Sequence, residues 1–82
     1  MATIDAVRTT LGRVLQLGAR QQELHADSPL LGALPELDSM AVVSLITALE
    51  EQFDLIIDDD EIDAATFATL GSLAGFCDSK LA

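Results

Sequence analysis

Three stretches of this sequence place apolar residues three and four positions apart, which is the spacing of one face of an α-helix. The most regular stretch consists of Val42, Leu45, Ile46, Leu49 and Phe53. Such stripes must be buried against one another, and a chain of 82 residues is long enough for one domain with a modest core. We therefore predict an all-α fold for residues 1–82, a small four-helix bundle with three main helices and one short third helix.

Capping residues and helix breakers define the predicted boundaries. The predicted helices span residues 4–17, 39–53, 60–65 and 70–80. Thr3 and Thr69 are placed to cap the first and last helices, and Gly18 is placed to end the first in a left-handed conformation.

The connection between the first two helices, residues 19–38, is long for so small a domain. Such loops are usually functional or fixed to the core. We expect a partial turn at residues 21–23, and we expect Leu30 or Leu31 to anchor the loop. The remaining predicted core residues outside the three stripes are Ile57 and Phe67.

Asp38 and Ser39 stand where the second helix is predicted to begin. Pro35 biases Leu34 away from helical geometry, and the Asp38 carboxylate is suited to accept hydrogen bonds from amides of the first turn. Ser39 then lies in that turn with its hydroxyl facing water. Free amides and the positive end of the helix dipole favour an anion there, so Ser39 is suited to carry a phosphate. The alternative is that both residues only start a helix.

The Asp38-Ser39-Met40 motif, the long loop before it, the helix ending in residues 49–53 and the acidic loop after it together resemble an acyl carrier protein. The resemblance covers residues 3–81 and is closest to stand-alone bacterial carriers, because the lead-in at residues 34–37 is similar to theirs. In that family the motif's serine receives 4′-phosphopantetheine from coenzyme A through a phosphopantetheinyl transferase. The resemblance implies that Ser39 holds this arm. It also implies that the chain carries acyl groups as thioesters in fatty-acid, polyketide or related biosynthesis and is not an enzyme.

Met40, Val43 and Thr47 share one side of the predicted second helix, next to Ser39. With Glu50 and Glu51 at its far end, this side is suited to docking, because apolar contacts supply affinity and charges raise the encounter rate. The alternative is that Met40 and Val43 form the edge of the core. The resemblance implies partners with basic docking patches: the transferase, an acyl-ligase or acyltransferase, and a ketosynthase.

Two departures from related families bear on the cargo and the partners. Many fatty-acid carriers have acidic residues early in the second helix, where this chain has Ala41, Val42 and Ser44, so we expect its choice of partners to differ. The Gly-Gly-(His/Asp)-Ser pattern of peptidyl carriers is absent, which argues against an aminoacyl cargo.

The net charge of −10 lies entirely in residues 36–82, which carry eleven acidic side chains against Lys80 alone. Such a field repels nucleic acid and anionic membranes and favours basic protein partners. The crowded acids at 58–63 do not form an EF-hand, since Asp63 and Thr69 stand where that motif requires Gly and Glu. Weak binding of divalent cations stays open, as do two rival functions: an acidic interaction module without a prosthetic group, and a cation-binding acidic protein.

Cys77 is the single cysteine, so no internal disulfide is possible and a reducing, cytoplasmic location is expected. We find no signal sequence and no run long enough to span a membrane, and we expect a monomer. His25 and Cys77 lie far apart in the sequence, so we predict neither a catalytic constellation nor a metal site. Cys77 is predicted to be an unreactive core residue.

Overall fold

The computed structural model describes residues 3–35 and 37–81, without the side chain of Asp59. The α-helices in this part of the chain are α1 (Thr3–Val14), α2 (Ser39–Phe53) and α3 (Leu70–Leu81). Shorter 3₁₀ segments span Gly18–Glu23 and Asp59–Glu61. The predicted all-α class is confirmed, with a long connection between α1 and α2 and a short helical segment between α2 and α3. Glu36, which belongs to the predicted lead-in, lies outside the described residues.

The core forms where α1 packs against both α2 and α3. Its fully buried apolar side chains are mostly aliphatic, as the scarcity of aromatic residues requires: Val7, Leu11, Leu30, Leu45, Leu49, Leu70, Leu73 and Cys77. Ile57 and Phe67 are buried, as predicted. Helical spacing predicts one buried stripe in the last helix, formed by Leu70, Leu73, Ala74, Cys77 and Leu81. Leu81 is instead 47% exposed, because α3 ends there.

The first helix ends earlier than predicted, at Val14 rather than residue 17. The chain turns at Gln16, which has a left-handed φ of 55°. The amide of the next residue, Leu17, then donates to Gly12 O at 2.9 Å, and the Gln16 amide donates to Arg13 O at 3.3 Å. These two bonds form a Schellman motif. Gly18 is also left-handed, but it lies beyond the turn that ends α1.

The helix predicted over residues 60–65 is a single 3₁₀ turn at Asp59–Glu61. Side chains account for its shortness. Glu61 Oε2 accepts from the Asp58 amide at 2.8 Å, and Asp63 Oδ1 accepts from the Thr66 amide at 3.1 Å. The first bond caps the start of the turn, whereas the second gives the backbone a local turn at residues 63–66 in place of a continuing helix.

The long connection is fixed to the start of α3 by four backbone hydrogen bonds of 2.9–3.0 Å. The loop residues in these bonds are Ala26, Ser28, Leu30 and Leu31, and their partners are Gly71, Leu70, Ala68 and Phe67, in that order. Leu30 is fully buried whereas Leu31 is 45% exposed, so Leu30 is the anchor. Two of the bonds also satisfy first-turn amides of α3, which have no partner within the helix. We call this set of bonds the loop clamp.

Both predicted threonine caps lie in the described part of the chain, with different outcomes. Thr69 caps α3: its Oγ1 accepts from the Ser72 amide, and Ser72 Oγ accepts from the Thr69 amide, both at 3.0 Å. Thr3, in contrast, is the first residue of α1 itself, and its hydroxyl donates to the carboxylate of Asp78 on α3. Its side chain therefore links two helices instead of capping one.

Candidate functional site

Asp38 begins α2 in the predicted way. Its backbone is extended, with φ −103° and ψ −174°, and its Oδ1 accepts from the Ala41 amide at 2.8 Å. Its own carbonyl accepts from the Val42 amide at 2.9 Å. The residue before it, Leu37, is 6% exposed and donates its amide to Leu34 O at 3.0 Å. A buried leucine thus fixes the direction in which the chain enters α2.

The sequence analysis did not single out Leu37. A sequence pattern does indicate that such a residue packs against the helix. It consists of an apolar residue immediately before an N-cap aspartate and an apolar residue in the fourth position of the helix. Here those positions are Leu37, Asp38 and Val42.

Ser39 is the first residue of α2 and is exposed. Among the described residues, its hydroxyl has no hydrogen-bond partner, and neither has its amide or that of Met40. A phosphate ester on Ser39 Oγ would therefore lie beside two unused amides at the positive end of a fifteen-residue helix. The geometry fits an anionic group joined to this oxygen.

Met40, Val43 and Thr47 form a strip along α2 that begins beside Ser39, and we call it the α2 strip. Met40 is 80% exposed and Val43 is 65% exposed, so the alternative that they are core edge is wrong. Thr47 is exposed as well, and its hydroxyl donates to Val43 O at 3.1 Å. The structure leaves the strip open to solvent.

The two glutamates beyond the α2 strip differ in their surroundings. Glu51 is exposed, whereas Glu50 is half-buried and its Oε2 accepts from the Ile57 amide at 2.9 Å. The Glu50 carbonyl also accepts from the amides of Asp54 and Leu55. Glu50 therefore holds the following loop against the end of α2. Ile56, which the sequence analysis passed over, is 76% exposed in this loop.

The acidic segment after α2 has an internal counterion. Lys80 Nζ lies 2.7 and 3.0 Å from the two carboxylate oxygens of Glu61. This hydrogen-bonded pair, with a smaller effect from the Asp58 amide, lowers the pKa of Glu61. Across residues 3–35 and 37–81, no three His, Cys, Asp or Glu side chains are grouped so that they could hold a metal ion.

Cys77 is fully buried in α3. Burial, and to a smaller extent the charge of Asp78, raises the pKa of its thiol to about 11. Because the thiolate is the reactive form, this side chain is unreactive at neutral pH. Any thiol chemistry of the molecule must then come from a group joined to it.

Comparisons with known proteins agree with this geometry. The family model for the phosphopantetheine attachment site matches residues 5–77. An acyl carrier protein from Sulfurovum sp. (strain NBC37-1) is 38% identical over 79 residues, covering 96% of this chain and 99% of the relative. The solution NMR structure of a holo acyl carrier protein from Nitrosomonas europaea is 63% identical and superimposes with a TM-score of 0.92, covering 99% of this chain and 98% of that one.

The family match and both relatives extend over nearly the whole chain. None of the helices in the described residues is long and apolar enough to cross a membrane. The chain belongs to the acyl carrier protein family.

Proposed function

We propose that Ser39 is the residue to which the phosphopantetheine arm is attached. As a member of its family, the chain is a carrier of acyl groups on a covalent 4′-phosphopantetheine arm and not an enzyme. The observation that supports Ser39 is its free, exposed hydroxyl on the first residue of α2, directly after the capping Asp38.

The other serines are less suited to this role. Ser28, Ser72 and Ser79 use their hydroxyls within the fold: Ser28 Oγ accepts from the His25 amide, Ser72 Oγ belongs to the α3 cap, and Ser79 Oγ donates to Phe76 O at 2.7 Å. Ser44 is exposed but lies inside α2, where the amides are already paired within the helix. Only Ser39 combines exposure, a free hydroxyl and unused amides among the described residues.

The chain's own contribution to loading is to present a nucleophilic oxygen and a place for the negative charge. Ser39 Oγ forms the new bond to the phosphorus next to the pantetheine of coenzyme A, the bond from that phosphorus to the nucleotide breaks, and the serine proton is lost to the transferase. The first-turn amides and the dipole of α2 then favour the phosphodiester by roughly 0.3–1 kcal/mol. Once attached, the arm supplies a terminal thiol that holds an acyl group as a thioester.

The family implies a transferase and acyl-processing enzymes as partners. We propose that these include an acyl-ligase or acyltransferase and a ketosynthase of fatty-acid, polyketide or related biosynthesis, and that a monomeric carrier meets them in the cytoplasm. We further propose that they dock on the α2 strip and on Glu50 and Glu51, through basic patches of their own. The exposure of Met40 and Val43 and the charge of −10 support this proposal.

Intact-mass analysis tests the attachment. The purified chain is incubated with coenzyme A, magnesium and a promiscuous phosphopantetheinyl transferase, and we expect it to gain one phosphopantetheine. Ser39→Ala should gain none, whereas the control Ser44→Ala should be loaded like the wild type. Ser39→Ala should also change the free energy of unfolding by less than ~0.5 kcal/mol, as surface substitutions usually do. Loading of Ser39→Ala, or none in the wild type, would refute the assignment.

A further inference from the structure

Ile56 is the most exposed isoleucine among the described residues, although both of its neighbours turn inward. Leu55 is half-buried and Ile57 is 7% exposed, whereas Ile56 is 76% exposed. A single exposed apolar residue is ordinary on a protein surface. Ile56 differs from an ordinary exposed residue in its position relative to Ser39 and the α2 strip.

Glu50 brings Ile56 to the end of the α2 strip. Glu50 follows Thr47 by three positions, so it continues the side of α2 on which the strip lies. Asp54, with a left-handed φ of 53°, turns the chain back, and the carboxylate of Glu50 then receives the Ile57 amide at 2.9 Å. The peptide joining Ile56 to Ile57 is therefore held against the C-terminal end of this side of the helix.

The charges along this surface are unevenly distributed. From Ser39 to Leu49, α2 contains no charged side chain. The exposed acids begin at its far end and flank Ile56 in the chain: Glu51, Asp54 and Asp58. An apolar side chain flanked by acidic residues is complementary to an apolar pocket bordered by basic side chains.

The distance from Ser39 to the end of the α2 strip is short compared with the width of an ordinary protein interface. Glu50 follows Ser39 by eleven residues, which corresponds to ~16 Å along a helix. A partner of ordinary size covers about 800 Å² of each protein, a patch roughly 30 Å across. An interface of that size with Ser39 near one edge is long enough to include the end of α2, where Glu50 holds the Ile56–Ile57 peptide.

We infer that Ile56 is a second apolar anchor for the transferase that loads Ser39, and that Glu50 is the positioning residue that holds Ile56 in place. The partner surface is an apolar pocket bordered by basic side chains. This inference rests on the proposed function and refines it, since Glu50 acts through the loop instead of contacting the partner with its charge.

Steady-state loading with coenzyme A and a promiscuous transferase tests the role of Ile56. We expect Ile56→Ala to raise the KM of the transferase for the carrier chain roughly tenfold and to leave kcat unchanged. This is the size of effect expected for truncating one apolar anchor. Ile56→Leu, which keeps the apolar volume, should recover most of the loss. Ile56→Ala loaded with the wild-type kcat/KM would overturn the inference.

A matched pair at Glu50 separates positioning from direct charge contact. Glu50→Gln removes the charge but keeps an oxygen that can accept from the Ile57 amide, whereas Glu50→Ala removes both. We expect Glu50→Ala to raise KM as Ile56→Ala does, and Glu50→Gln to restore most of the efficiency. If both Glu50 variants lose efficiency equally, the charge acts directly and the positioning role is wrong.

The double variant Glu50→Ala/Ile56→Ala completes the cycle. If Glu50 acts through Ile56, the double variant should be no worse than Ile56→Ala alone, whereas independent contacts would make the two losses multiply. Circular dichroism and urea melts establish that each variant is folded. Failure of the wild type to be loaded at Ser39 would refute the proposed function itself, so the two failures are distinguishable.

Discussion

At the scale of single residues, two side-chain-bearing positions within residues 3–35 and 37–81 adopt the left-handed conformation that favours glycine. Gln16 ends α1 with φ 55°, and Asp54 ends α2 with φ 53°. An L-residue in this conformation costs roughly 1–2 kcal/mol. At Gln16 the turn places the leucines on either side of it in the core, since Leu15 is 6% exposed and Leu17 is 4% exposed.

Burial of the two leucines explains why the end of α1 was misplaced in the sequence analysis. Local rules favour Gly18 as the terminator because glycine adopts a positive φ at little cost. The gain from burying Leu17 depends on the other residues of the core, which a local sequence pattern does not reveal.

Replacing Gln16 by glycine should stabilise the protein. Relief of the left-handed strain outweighs the larger entropy of glycine in the unfolded chain, so we expect a gain of ~0.5–1 kcal/mol in the free energy of unfolding. Gly18→Ala is the matched control. Gly18 has φ 60° and open space where a Cβ would lie, so the alanine should cost about 1 kcal/mol through strain alone. Urea melts measure both, and a Gln16→Gly variant less stable than wild type would show that the glutamine side chain contributes to the fold.

At the scale of elements, the sequence predicts α2 and the position of Ser39 correctly, because the information is local. Asp38 caps the helix, the apolar stripe sets its face, and the observed span Ser39–Phe53 matches the predicted 39–53. The same holds for Thr69 and the start of α3. The prediction of docking residues stays a prediction, although the exposure of the α2 strip agrees with it.

The loop clamp, in contrast, has no local signature. It consists of backbone hydrogen bonds between segments about forty residues apart, and any residue with an amide and a carbonyl can make them. Gly71 is the one residue in the sequence that indicates the loop clamp. A Cβ at this position would lie 2.8 Å from Ala26 O, so the close approach of the loop requires glycine.

Gly71→Ala should therefore destabilise the protein, although alanine is the better helix former. The Ala26 carbonyl is backbone and has to move, which weakens its 2.9 Å bond from the residue 71 amide. We expect a loss of ~1 kcal/mol or more, as for a broken hydrogen bond in a packed site. Gly75→Ala is the control in the same helix. With no atom within 4 Å of its Cβ, it should be stabilising by up to about 1 kcal/mol.

Hydrogen exchange locates the effect of Gly71→Ala. The Leu30 and Leu31 amides, which donate to the opposite segment in the loop clamp, should exchange faster in Gly71→Ala than in Gly75→Ala. Equal stability of the two variants would mean that the loop adjusts freely, and the clamp would then contribute little to the fold.

At the scale of the whole molecule, the fold must tolerate a net charge of −10 on 82 residues. Self-repulsion of this kind opposes the compact state. Lys80, the single basic residue after position 35, lies at the end of α3 and bonds both carboxylate oxygens of Glu61. It thereby ties the acidic turn to the helix bundle and offsets part of the repulsion where the acids are most crowded.

The contribution of this ion pair to the free energy of unfolding should decrease as the pH is lowered. Lys80 lowers the pKa of Glu61 below 4.5 in the folded protein, so folding favours the ionised carboxylate. The ion pair therefore stabilises the folded protein above pH 4.5. This stabilisation is lost as the pH falls through the lowered pKa that Glu61 has in the folded state.

Lys80→Met tests this in low salt, with Arg13→Met as the control. Both variants have the same net charge, but Arg13 is exposed in the last turn of α1 and has no ion-pair partner among the described residues, so its loss breaks no ion pair. We expect Lys80→Met to melt at a lower temperature than Arg13→Met at pH 7. Because protonation of Glu61 abolishes the pair, the two melting temperatures should converge as the pH falls below 4.5. A difference that persists in strong acid would mean that the methylene chain of Lys80, and not its charge, supports the acidic turn.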